Sequence, residues 1–144
     1  MTSKLLDFNQ KRKENIEQKK RSFERILFEN FLGAYSVLDD NGSVHSITLV
    51  DISYDGCLFQ IPWRARVDRK YGQDEELTLR MYFSKSTFIP VVVNVKYAQE
   101  HVDREGRTFM KYGCEFDKSY PSFKALEHFI QFLYSYAENS TLDK

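Results

Sequence analysis

Residues 39–62, DDNGSVHSITLVDISYDGCLFQIP, contain two chain reversals separated by extended runs. Asp39-Asp40-Asn41-Gly42 closes an apolar, aromatic run from Phe28 to Leu38. Its Asn-Gly pair tolerates the positive φ values of a tight hairpin. The return run, Val44 to Ser53, is rich in β-branched residues suited to a pleated, half-buried surface. Asp55-Gly56 reverses the chain again, Cys57 to Ile61 is extended, and Pro62 stops the run.

The same reading extends toward the C-terminus. After a polar, charge-rich loop from Arg64 to Asp74, which reads as solvated chain or as a partner surface, three further extended runs follow. They are Glu76 to Phe83, Phe88 to Val102 and Thr108 to Phe116, the last two joined by a turn at Asp103-Arg104-Glu105-Gly106. Six short antiparallel strands predict a mainly β fold closed into a barrel, because closure removes the unpaired edges that invite aggregation. Beyond Pro121 the period changes: Phe123, Leu126, Phe129, Ile130, Leu133, Tyr134 and Ala137 recur at three- and four-residue steps. A C-terminal amphipathic helix that plugs or flanks the barrel is expected.

At the other end, residues 1–20 are dominated by Lys11-Arg12-Lys13 and Lys19-Lys20, with interspersed glutamates. They read as a basic N-terminal arm, partly helical or disordered, with Leu5, Leu6 and Phe8 available to dock. The expected organisation is therefore an arm over 1–20, one barrel domain with its helix over 21–138, and a tail over 139–144. A chain of 144 residues suits one core.

Charge and composition narrow the function classes. The 21 basic and 21 acidic side chains cancel, so any recognition of phosphate must be local. No secretory leader is apparent, and no run approaches the roughly 18 apolar residues of a membrane span, which makes the cytoplasm the expected location. Cys57 and Cys114 lie far apart and outside any Cys-x-x-Cys pair, so buried reduced thiols are expected. His45, His101 and His128 show no metal-ligand spacing, and there is neither a nucleophile elbow nor a phosphate-binding glycine loop. The expectation is a binding protein with no metal and no cofactor, rather than an enzyme.

Two constellations carry binding chemistry. Arg21-Ser22-Phe23-Glu24-Arg25 offers two guanidiniums four residues apart, each able to grip a phosphate bidentately, meet the O6/N7 edge of guanine or stack on a base. Asp51-Ile52-Ser53-Tyr54-Asp55-Gly56 places a carboxylate and a hydroxyl on one face of extended chain. The carboxylate can accept from guanine N1–H and N2–H, and Gly56 would permit positive φ and a close backbone approach. Taken singly, the first is equally an ordinary charged surface and the second an Asx-type turn.

In this order, about thirty residues apart, the pair resembles the signature of the PilZ domain family, Arg-x-x-x-Arg followed by Asp/Asn-x-Ser-x-x-Gly. Gly113-Cys114-Glu115-Phe116 resembles the Gly-x-x-Phe that often ends the family's barrel. The resemblance runs from about Lys19 to Tyr136. It implies a six-stranded barrel with a C-terminal helix, and binding of the bacterial second messenger cyclic di-GMP. Arg21 and Arg25 would contact phosphates and guanine from a mobile arm, Asp51, Ser53 and Gly56 would read the base edges, and Lys19 and Lys20 would add phosphate contacts. Ordering of the arm would then alter contact with a protein partner, through the arm or the barrel surface. Two other readings stay open: a nucleotide-independent adaptor of the same fold, and a barrel for single-stranded nucleic acid using Tyr82, Phe83 and Lys85. Overall neutrality disfavours the latter.

Overall fold

The computed structural model describes residues 9–22, 36–82, 84 and 86–139. Arg25, Leu5, Leu6, Phe8, Phe83, Lys85 and the beginning of the expected first strand lie outside the described residues. Helix α1 occupies residues 9–22. Strands β1 (Ser36–Asp40), β2 (Ser43–Ile52), β3 (Gly56–Pro62), β4 (Glu76–Tyr82), β5 (Phe88–Val102) and β6 (Thr108–Phe116) follow, then helix α2 (Phe123–Asn139).

The strands close as β1-β2-β3-β6-β5-β4, with β1 paired to β4 and every pairing antiparallel. The expected hairpin forms at Asn41 (φ 52°) and Gly42 (φ 95°), and the Gly42 N–H donates to Asp39 Oδ1 at 3.1 Å. Two successive positive φ angles match the right-handed twist of the flanking strands, which is why Asn-Gly suits the position.

Alternation fills the barrel. Leu38, Leu49, Phe59, Leu79, Val93 and Tyr112 point inward and are buried. Helix α2 supplies Phe123, Leu126, Ile130 and Leu133 to the same core, with Phe123 meeting Phe116 at 5.5 Å between ring centroids. The polar loop after β3 also reaches the core. Its Tyr71 is buried, its N–H donates to the Tyr112 hydroxyl at 3.1 Å, and its own hydroxyl donates to Asp40 Oδ2 at 3.1 Å. Cys57 and Cys114 are free, buried and directly opposite each other on β3 and β6.

Candidate functional site

Two bulges decide what the outer wall of the barrel presents. Counted from buried Ile47 and Leu49, plain alternation would turn Asp51 into the core. Instead the β2–β3 register shifts between Leu49 and Asp51, so Val50 is the extra residue, Asp51 faces Leu58 on the outside, and Ile52 takes the inward place opposite Cys57. A second shift between Val95 and Tyr97 turns Tyr97 outward from a strand whose odd positions Val91, Val93 and Val95 are buried.

Tyr97 then lies across its cross-strand partner Gly113. A Cβ there would occupy the space of the tyrosine ring, so this glycine serves packing. Gly56 is small for a similar reason. Its φ lies outside the positive region, contrary to one of the two expectations for it, and the backbone that comes close is that of β6: an added Cβ would collide with the Cys114 carbonyl and lie 3.2 Å from Glu115 Cα. Ser53 closes the turn, its N–H donating to the Gly56 carbonyl at 2.8 Å and its Oγ at 3.3 Å.

Helix α1 covers one side of this wall. Lys13, Glu17 and Arg21, four residues apart, share a helical face, and Arg21 is exposed. Together with Thr48, Val50, Asp51, Leu58 and Gln60 they line a groove of about 970 Å³. A smaller hollow of about 380 Å³ continues from it past Asp51 and Leu58 to Ser53, Gly56, Lys96, Tyr97 and Glu115. The structure thus brings Arg21, Asp51, Ser53 and Gly56 to one continuous surface. Lys96 ties the far rim, pairing with Asp74 at 3.2 Å and Glu115 at 3.5 Å, and these carboxylates raise its pKa, Asp74 first.

The two upstream lysines differ from each other. Lys19 is half-buried in the last described turn of α1. Lys20 is directed inward at 2% exposure: its Nζ donates to the Ile52 carbonyl at 2.5 Å, lies 3.6 Å from Asp51 Oδ1 and stands 4.7 Å from the Tyr134 ring centroid. A helix whose outer face meets solvent must turn another face to the barrel, and residue 20 falls on that one.

Leu58, Gln60, Lys96 and Tyr97 were not among the expected site residues. Leu58 and Gln60 follow from Gly56 by period-two alternation, whereas the facing of Tyr97 depends on a bulge that carries no sequence signal. Among the described residues no cluster of three or more His, Cys, Asp or Glu could hold a metal ion, and no helix is long and apolar enough to cross a membrane.

Residues 19–135 match the family model of the PilZ domain. Against curated proteins the chain shows no significant match. Two solved structures share the fold. MrkH of K. pneumonia in its apo state aligns with a TM-score of 0.58 and 15% identity, over 74% of this chain and 49% of that one. The PilZ domain of YcgR from Escherichia coli with c-di-GMP aligns with a TM-score of 0.54 and 14% identity, over 72% and 83%. The chain therefore spans about half the length of MrkH.

Proposed function

The chain belongs to the PilZ domain family, and on that footing we propose that it is a cytoplasmic receptor for cyclic di-GMP, taking the ligand between α1 and the outer wall of β2, β3 and β6. The observation that carries this reading is the meeting of Arg21 with Asp51, Ser53 and Gly56 on one groove. YcgR, whose PilZ domain is solved with c-di-GMP, supports the choice of ligand.

In this reading Arg21 and Arg25 clasp the ligand's phosphates and the O6/N7 edge of a guanine. Asp51 accepts from guanine N1–H and N2–H, the Ser53 hydroxyl accepts beside it, and Gly56, packed tightly on β6, holds the turn that presents them. Lys19 adds positive charge at the phosphate end. The exposed ring of Tyr97 offers a stacking platform on the opposite rim. No chemical step is assigned to the protein. Two anionic phosphates relieve the repulsion between the two guanidiniums, and the arm's altered state is read by a protein partner. A ligand shifts that equilibrium by its differential affinity for the two states.

Calorimetric titration of cyclic di-GMP, with GMP and cyclic di-AMP as controls, tests the reading. Selective binding is expected, weakened about tenfold or more, or roughly 1.4 kcal/mol, in Arg21→Ala and in Asp51→Ala. Absence of heat at high ligand concentration, with no NMR shifts, would remove the receptor reading and leave the nucleotide-independent adaptor.

A further inference from the structure

The Lys20 ammonium is a buried cation in a surface helix of a protein with no net charge, and it meets three groups from two other elements, β2 and α2. It donates to the Ile52 carbonyl of β2, pairs with Asp51, and faces the ring of Tyr134 on α2. Tyr134 in turn stacks on Tyr54 at 4.8 Å with 8° between ring planes, and Tyr54 is the residue after Ser53 in the site loop. Partners of this kind are what a desolvated charge requires, since a buried cation without an anion or dipole would lose its proton or be expelled to water.

Asp51 has the opposite character. Its side chain is 51% exposed, so one carboxylate oxygen is held from beneath by Lys20 while the group still opens to the groove. We infer that Lys20 is a positioning residue of the ligand site, docking α1 on the barrel and aiming the Asp51 carboxylate outward before ligand arrives. This rests on the reading of the groove given above. It assigns Lys20 a role other than phosphate contact: a residue at 2% exposure, already engaged by a carbonyl, a carboxylate and a ring, has its charge satisfied beneath the groove. The ammonium also sets where α1 lies, and therefore where Arg21, the next residue, enters the groove. Tyr134 and Tyr54 extend the support to α2, so the site loop is backed by a helix distant in sequence.

Lys20→Met and Lys20→Arg, each alone and with Asp51→Asn, test the inference in the full chain. Removing one partner of an ion pair is costly where it strands the other charge in the core, but Asp51 is 51% exposed and stays hydrated without Lys20, which separates folding from binding. Lys20→Met is expected to keep the wild-type unfolding midpoint or exceed it, yet to weaken cyclic di-GMP about tenfold, with partial rescue by Lys20→Arg. In the Asp51→Asn background the further loss is expected to vanish, because a residue acting through Asp51 has nothing left to aim. Full additivity, or wild-type affinity in Lys20→Met, would overturn the positioning role. Amide hydrogen exchange without ligand provides the independent readout. Faster exchange over residues 9–22 in Lys20→Met, with the barrel strands unchanged, is expected, and unchanged exchange there would overturn the docking role. If wild-type protein fails to bind the nucleotide, the receptor reading falls, while the exchange measurement still decides whether Lys20 tethers the helix.

Discussion

Gly56 and Gly113 occupy neighbouring strands, and each is dictated by what lies against it rather than by its own dihedral angles. Because the atoms facing Gly56 are backbone of β6, a methyl group there cannot be accommodated by a rotamer change. Gly56→Ala is expected to destabilise the fold by about 1–3 kcal/mol, the usual cost of overpacking, and to weaken ligand binding together with stability. Urea denaturation with parallel titration measures both, and a fully stable Gly56→Ala would mean that the strands separate freely at this point. The two cysteines follow the same logic of surroundings. Burial, reinforced by Cys114 and Asp51, raises the Cys57 thiol well above its ordinary value, and burial pushes the Cys114 thiol up to about 12. The thiolate is the nucleophile, so alkylation at pH 8 is expected to be slow in the native protein and fast in urea. Mass spectrometry of iodoacetamide-treated protein checks this, and rapid native labelling would contradict the buried placement.

At the level of elements, the hairpin and the C-terminal helix carry separable energies. Asn41 holds φ 52° at the β1–β2 turn, a region that costs most L-residues about 1–2 kcal/mol and asparagine less. Asn41→Ala is therefore expected to lower stability by about 1 kcal/mol while leaving the ligand site intact, since the turn lies away from the groove-lining residues. Leu126 is fully buried in the shared core, and Leu126→Ala is expected to cost about 2–5 kcal/mol depending on how far the helix settles into the cavity. Thermal and urea unfolding of the two variants ranks them. An equal cost for both would argue that α2 packs more loosely than its burial indicates. The strands and α2 were readable from residue order because period-two and 3.6-residue patterns are local, and the expected runs agree with β2 to β6 within about a residue at each end. Bulges are not local in this sense. Nothing in Leu49-Val50-Asp51 or Val95-Lys96-Tyr97 announces an extra residue, since a bulge is set by the pairing partner as much as by the bulged strand.

Across the whole molecule, acid sensitivity should come from several carboxylates acting together. Asp39, held by the Gly42 N–H and then Arg80, and Asp68, held by Arg64, lie below their ordinary value of 3.8, and Glu75, held by Arg69, lies below 4.5. A carboxyl whose folded pKa is depressed binds protons less readily than in the unfolded chain. Its contribution is complete above the unfolded value and is lost as pH falls through the lower folded value. The urea midpoint is therefore expected to hold from pH 7 to about 5 and to decline below about 4. A flat profile down to pH 2.5 would show that these pairs contribute nothing to folding.

The sequence by itself determined the strand count, the Asn-Gly hairpin, the terminal helix and the two motifs, because each rests on residues within a few positions of one another. It also placed Asp51 and Ser53 on a common face. The tertiary structure decided which face that was, through the bulge at Val50. It brought Tyr97 to the same wall across forty-odd residues of chain, and it placed the Lys20 ammonium inward, against the Ile52 carbonyl and Asp51. The physical reason is that burial and facing are properties of pairing partners. A lysine becomes a core residue only where a carbonyl, a carboxylate and an aromatic ring converge on it, and those three arrive here from β2 and α2, elements that meet only when the barrel closes.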